Sequence, residues 1–295
     1  MKEDTRKLDG ELAWLAAPGL LLLAVFIASF LLFMNQMYPP AKGMYRSDMR
    51  QHAGIAEKIV AGTKRIPHPG LHSACILLSK LTGMPLKDSF IMLLSLAVGI
   101  YAWILLLIAK QYLGNLYGSG TRALIVFSLL LLAAIYVPFV NPRMYLMIGT
   151  PNVWHNPTTI ALRPLAMGIL WLLASSTDPR PRPGVGRAIT VAGLLMVSIV
   201  IKPNFALSFI PAVVAWLVIT YGISLRTIGQ AAFITLPAFS YLGFLYLSTF
   251  GGHARNQIGL GFLTVWHHFT PHPLFALIQA AAFPLALLAL RSRRV

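Results

Sequence analysis

The sequence predicts an all-α fold: a polytopic bundle of about eight transmembrane helices, with an interfacial helix in the first outer loop. Three observations predict it. Of the 295 residues, 57% are hydrophobic and only 11% are charged, whereas a soluble domain carries roughly 25% charged residues. The apolar residues fall in runs close to the roughly 20 residues that a membrane-crossing helix needs. The 24 Lys and Arg residues lie mostly between those runs, as topology signals do. This pattern excludes an ordinary soluble enzyme and a disordered chain.

The apolar runs form one predicted transmembrane domain over 1–295. The expected spans are 18–37, 86–108, 122–140, 158–175, 187–201, 205–221, 228–249 and 273–290. The fifth and sixth runs are short and are separated by Pro203, so one kinked crossing is the alternative to two. The first loop, 38–85, is expected to hold an interfacial helix that ends at Gly62, and a shorter re-entrant helix at 71–81.

The charges predict the orientation and the side on which chemistry occurs. With both termini inside, half of the 24 basic residues fall on the cytoplasmic side, as the positive-inside rule expects. Because the basic residues are dispersed between apolar runs and form no patch, nucleic acid is not an expected partner. Acids are scarce, but Asp48 and Glu57 both lie in the first outer loop, and all eight histidines map to the outer face. We therefore expect a functional site on the outer side.

The first outer loop supplies the candidate catalytic residues. Asp48 and His52 are four residues apart on the predicted interfacial helix, so they share one face and can interact. Asp48 is the candidate general base and His52 the residue that orients it, although a surface pair is the alternative. Glu57, His68 and His72 are candidate substrate contacts in the same loop. The two later histidines could instead cap the re-entrant turn, because Pro67 and Pro69 enforce an extended chain around His68.

Polar residues at other outer segments complete the candidate substrate-binding set. Arg163 and Lys202 are placed where a cation either reaches the interface or meets an anion such as phosphate. The set comprises Asn152, His155, Asn156, Arg163, Lys202 and Arg255. With one cysteine, Cys75, and no HExxH, Walker, dinucleotide-binding or GxSxG motif, the sequence predicts no cofactor. A divalent metal is possible, but no clear motif supports it.

The loop layout and four strings, SDMRQHAGIAEKIVAG, IPHPGLH, TPNVWHNPTTIALRPLA and IKPNF, carry a resemblance. The layout resembles the GT-C superfamily of integral-membrane glycosyltransferases, and the strings look like those of bacterial membrane proteins associated with surface polysaccharides. The acidic pair typical of the GT-C loop is missing, because Met49 and Arg50 follow Asp48. The family's metal dependence is therefore not carried over.

The resemblance implies a multi-pass protein of the bacterial inner (plasma) membrane with cytoplasmic termini. It implies transfer of a sugar, with inversion, from a polyprenyl-phosphate carrier to a saccharide or lipid acceptor on the outer face. Asp48 would then be the base, and Arg163 with Lys202 or Arg255 would bind the leaving phosphate. Two alternatives stay open. One is a transporter, flippase or polymerase-like protein for lipid-linked saccharides, although a transporter predicts an internal repeat that the sequence does not show. The other is a non-catalytic subunit.

Overall fold

The computed structural model describes residues 2–41, 47–114, 116–131, 156–174, 183–250, 271–275 and 278, and every regular element within them is helical. The helices, numbered in chain order, are α1 (Lys2–Met37), α2 (Met49–Val60), α3 (Gly70–Thr82), α4 (Leu86–Leu113), α5 (Ser119–Leu131), α6 (Pro157–Ala174), α7 (Val185–Ile201), α8 (Asn204–Tyr221) and α9 (Leu225–Phe250). The chain forms two compact units. The first comprises Met1–Phe127 with Asn156–Ala254, and the second Ser128–His155 with Arg255–Val295. Of the helices above, only α5 extends into the second unit.

The prediction of a helical membrane protein is confirmed. Four helices of the described chain are long and apolar enough to cross a bilayer, namely Pro18–Met37, Leu86–Leu113, Asn204–Tyr221 and Leu225–Thr249. Three shorter apolar helices, Ser119–Leu130, Pro157–Leu173 and Val185–Ile201, match further predicted spans. Helix α1 extends back to Lys2, ahead of the predicted start at 18. Most of the last predicted span, 273–290, and the later half of 122–140 lie outside the described residues.

The long helices define two ends of the first unit. Helices α1 and α4 are antiparallel, because the hydroxyl of Tyr38, just after α1, donates to Asp88 in the first turn of α4 at 2.9 Å. Helices α4 and α6 are parallel, because Trp171 Nε1 late in α6 donates to Gln111 late in α4 at 2.9 Å. We call the end where α1 finishes and where α4 and α6 begin the site end. The other end, where α4 and α6 finish, is the opposite end.

Helices α7 and α8 form an antiparallel hairpin. Gln230 near the start of α9 donates to the carbonyl of Pro183, just before α7, at 2.8 Å, so α7 and α9 start together. By contrast, Leu207 near the start of α8 lines one cavity with Tyr246 near the end of α9. The chain therefore reverses at Lys202, which has an extended backbone (φ −162°, ψ 113°). The predicted spans 187–201 and 205–221 are therefore two antiparallel helices and not one kinked helix.

The first loop folds into α2 and α3, as predicted. Helix α2 is amphipathic: Met49, Ala53 and Ala56 are buried, whereas Glu57 and Lys58 are exposed. It ends at the expected glycine, Gly62, whose φ is +70°. Such a conformation is easiest for glycine because it has no Cβ.

Helix α3 comprises 13 residues, about 20 Å in length, so it is too short to cross a bilayer alone. Gly83, which also has φ +70°, terminates it. Both helices pack against α4, and this packing places the loop residues at the site end.

Candidate functional site

Three segments that are distant in the sequence meet at the site end. Asp48 lies at the N-cap position of α2, Asn156 directly precedes α6, and Lys202 connects α7 with α8. The side-chain amide of Asn156 donates to Asp48 Oδ2 at 3.4 Å. Lys202 Nζ donates to Thr159 Oγ1 at 2.7 Å and approaches Asn156 Oδ1 at 3.5 Å. The structure thus brings together the predicted base, Asp48, and one of the predicted phosphate contacts, Lys202.

Asn156 connects the two charged groups because the start of α6 fixes its amide. Its Oδ1 accepts from the backbone N–H of Thr159 at 3.1 Å and from the hydroxyl of Thr158 at 2.6 Å. These contacts satisfy donors that a helix N-terminus otherwise leaves without partners. With Oδ1 committed to the helix and to Lys202, the NH₂ group points to Asp48. Asn156 therefore holds the carboxylate and the ammonium on either side of one amide.

Lys202 is held by its surroundings as well as by these bonds. Its backbone N–H donates to the carbonyl of Ser198 at 2.7 Å, and its side chain is half-buried. Burial lowers the pKa of Lys202, and the nearby carboxylate of Asp48 acts in the opposite direction. A cation that is partly removed from water and held by neutral donors and acceptors interacts more strongly with an incoming anion than a solvated one does.

Two histidines of the first loop form a direct pair beside this group. His52 Nδ1 and His72 Nε2 are 3.0 Å apart, and the ring of His72 also meets the ring of Phe90 edge-on. His72 is only 2% exposed, and burial, followed by His52, His68 and Lys64, lowers its pKa to about 4. At neutral pH the pair therefore holds neutral imidazoles, one of which donates to the other.

Burial of His72 also determines which nitrogen carries the proton. Among the described residues, its Nδ1 has no hydrogen-bond partner, and a buried donor without an acceptor is costly. We therefore place the proton on Nε2, so that His72 donates to His52 Nδ1. His52 then carries its own proton on Nε2. The pKa of His52 is lowered by burial and raised by Asp48, so His52 serves as a neutral donor near the carboxylate and His72 fixes its tautomer.

His68 lies near His52 and Lys202. It sits between Pro67 and Pro69 and is half-buried. Burial and then the charge of Lys202 lower its pKa, which places it within electrostatic range of that ammonium. His52 and His68 are thus the two imidazoles that interact with the ammonium of Lys202.

Gly70, which the sequence did not single out, determines how close His68 and His72 lie to Lys202. Gly70, the first residue of α3, lies so close to the last turn of α7 that a Cβ there would stand 2.8 Å from the carbonyl oxygen of Val200. Only glycine allows two backbones to approach this closely without a shift. The contact fixes the start of α3, and therefore His68 and His72, beside Lys202. The signal available in the sequence was the Pro-Gly step immediately before an apolar helix.

Two predicted site residues lie away from the cluster. Glu57 is paired with Lys87 at 3.9 Å, and both side chains are about half exposed (53% and 49%). Arg163 lies two turns into α6, about 10 Å along the helix axis from Asn156, and interacts with Tyr101 of α4. The structure therefore does not bring Glu57 or Arg163 to the Asp48–Asn156–Lys202 group.

Three further predicted contacts, Asn152, His155 and Arg255, lie outside the described residues. Within the described part of the chain, no three His, Cys, Asp or Glu side chains are grouped in a way that could hold a metal ion. The expectation that no cofactor is required stays a prediction.

Comparison with known proteins does not assign the chain to a family. No family model matches the chain, and no curated protein and no solved structure is significantly similar to it. The function has to be argued from the site itself.

Proposed function

We propose that this protein is a membrane glycosyltransferase that moves a sugar from a polyprenyl-phosphate carrier to a saccharide or lipid acceptor. The observation that carries the proposal is the Asp48–Asn156–Lys202 group, in which a carboxylate and a half-buried ammonium flank one amide. Displacement at an anomeric carbon needs a base for the attacking hydroxyl and a cation for the departing phosphate. Asp48 can supply the base and Lys202 the cation, on either side of the amide of Asn156.

The proposed reaction is a single displacement. Asp48 accepts the proton of the acceptor hydroxyl, and the acceptor oxygen forms a bond to the anomeric carbon. The bond between that carbon and the phosphate oxygen breaks, and the electron pair leaves with the phosphate. Lys202 stabilises the charge that develops on the phosphate. Attack opposite the leaving group inverts the anomeric configuration.

The first loop at the site end is long and basic, but the basic residues of the short connections support an outward-facing site. The opposite end carries Lys110 in the last turn of α4 and Arg122 beside it, together with Arg187 and Arg226 near the starts of α7 and α9. An excess of Lys and Arg in short connections is typical of a cytoplasmic side. We propose an eight-span, GT-C-like protein of a bacterial inner membrane, with cytoplasmic termini and the site end outside.

The test is a transfer assay with the full chain reconstituted in vesicles. The donors are undecaprenyl-phosphate hexoses and pentoses that carry a radiolabel in the sugar, and a cell-envelope glycan and lipid extract supplies acceptors. We expect the wild type to move label out of the polyprenyl fraction and Asp48→Asn to lower that rate by about 10²–10⁴-fold, the usual contribution of a general base.

The matched control is Asp88→Asn, which removes a carboxylate at the same end that contacts Tyr38 and not Lys202. It should keep the wild-type rate. Transfer at the wild-type rate by Asp48→Asn, in protein purified at an unchanged yield, would contradict the proposal. So would label that crosses the bilayer while still attached to the carrier, because that result identifies a transporter.

A further inference from the structure

A cavity of about 180 Å³ lies at the opposite end of the bundle, between α1, α4 and α5. Leu22 of α1 and Trp103 and Leu106 of α4 form an apolar wall. Lys110 and Arg122 stand at one end of that wall, and no Asp or Glu is among the described residues that line the cavity. The cavity is therefore apolar along its length and cationic at its end.

The guanidinium of Arg122 is held in position by the backbone. Arg122 is 8% exposed, and its Nη1 donates to the carbonyl of Gly114 at 3.1 Å and to that of Tyr117 at 2.8 Å. Both acceptors belong to the turn that follows α4. One nitrogen of the guanidinium is thus used for structure, while the planar group retains further N–H donors. Because these hydrogen bonds fix the side chain of Arg122, the cavity differs from an open surface that carries unrestrained cations.

The surface around the cavity is apolar and exposed. Leu20 and Leu23 of α1 are 67% and 56% exposed, and Trp103 is 55% exposed. In a bilayer these side chains face the acyl chains, and a tryptophan near a charged boundary is typical of the interface. The exposed apolar surface continues from the cavity wall, so an acyl chain could lie along α1 and α4 while its headgroup meets the two cations.

We propose that this cavity binds an anionic glycerophospholipid, with the lipid phosphate at Lys110 and Arg122 and an acyl chain against Leu22 and Leu106. Basic pockets between transmembrane helices on the cytoplasmic side are typical sites for anionic headgroups. A free phosphate would leave the apolar wall without an occupant. Lys110 follows Asp88 of the site end by 22 residues of one helix, about 33 Å at the helical rise per residue. The lipid is therefore distinct from the donor of the proposed reaction.

The test measures lipid retention by native mass spectrometry of the full chain in detergent, with phosphatidylglycerol and phosphatidylcholine of identical acyl chains. We expect the wild type to retain one phosphatidylglycerol per chain and to bind phosphatidylcholine several-fold more weakly. Lys110→Gln should weaken phosphatidylglycerol binding about fivefold, the effect of one basic residue on an anionic lipid. Lys80→Gln makes the same charge change at an exposed position of α3 and should bind like the wild type.

A second variant tests the cavity without a change of charge. A Cβ on Gly19, which lines the cavity, would meet no atom within 4 Å, so Gly19→Leu places its side chain in open space. Leucine also favours a helix more than glycine does, so this variant should fold. Its side chain would occupy the place of the lipid, and we therefore expect it to lose phosphatidylglycerol binding.

Equal retention of the two lipids by the wild type would overturn the proposal. Retention of phosphatidylglycerol at the wild-type level by both Lys110→Gln and Gly19→Leu would also overturn it. Displacement of the lipid by sn-glycerol 3-phosphate would identify a free phosphate ester as the ligand and contradict the lipid assignment.

Discussion

Both ends of the bundle hold cations, but their surroundings differ. At the site end, Lys202 contacts a hydroxyl and an amide, and it interacts with the carboxylate of Asp48 and the imidazoles of His52 and His68. At the opposite end, Arg122 contacts backbone carbonyls, and the remaining lining is mainly apolar. A cation among titratable groups can assist proton transfer and stabilise the charge that develops during a reaction. A cation that backbone carbonyls fix beside an apolar wall can only bind an anion. This difference is why we propose chemistry at the first end and lipid anchoring at the second.

The largest effect on stability is expected at Gly70, where the backbones of α3 and α7 come very close together at the site end. Gly70→Ala would place a Cβ 2.8 Å from the carbonyl oxygen of Val200, so α3 or α7 must shift. We expect this overpacking to lower the free energy of unfolding by about 2 kcal/mol, together with transfer activity, because His68 and His72 move relative to Lys202. The measurement is the midpoint of unfolding in detergent beside the transfer rate.

Gly186→Ala is the matched control. Gly186 lies near the start of α7, whereas Val200, which Gly70 contacts, lies in the last turn of that helix. A Cβ at Gly186 would meet no atom within 4 Å, so this variant should be neutral or more stable, since alanine favours a helix over glycine. If the two variants have the same stability, the close contact between α3 and α7 does not exist in solution.

A smaller effect should distinguish the two ends by pH. The unfolded chain binds a proton at His72 below about pH 6.5, whereas the folded protein binds one only near pH 4. Unfolding therefore takes up a proton in this window, and stability falls as the pH decreases, by on the order of 1–2 kcal/mol between about pH 6.5 and pH 5. His52, whose pKa burial also lowers, should add to the trend. No histidine is among the described residues that line the cavity at the opposite end.

The check is the unfolding midpoint against pH for the wild type and for His72→Gln, whose amide can still donate to His52. We expect the variant to show a flatter dependence. His272→Gln, at an exposed histidine, should retain the wild-type slope. An identical slope in the wild type and in His72→Gln would show that the buried imidazole is not neutral in the fold.

The sequence alone predicted those features that neighbouring residues determine. Gly62 follows α2 with a positive φ, as predicted, and the spacing of Asp48 and His52 follows from one turn of helix. Proximity between distant segments could not be predicted. The contact of Lys202 with Asn156 crosses 46 residues and depends on the reversal between α7 and α8. The pairing of Glu57 with Lys87 depends on how α2 packs against α4, which no local pattern specifies.

The most direct test of the central claim, that the two ends hold different anions, is the affinity for undecaprenyl phosphate without a sugar. We expect Lys202→Gln, which keeps a donor for Thr159 but removes the charge, to weaken binding about tenfold or more, the typical loss of a charge-assisted hydrogen bond. Lys110→Gln should bind this ligand like the wild type. Unchanged affinity in Lys202→Gln, or a loss confined to Lys110→Gln, would contradict the assignment of the phosphate to the site end.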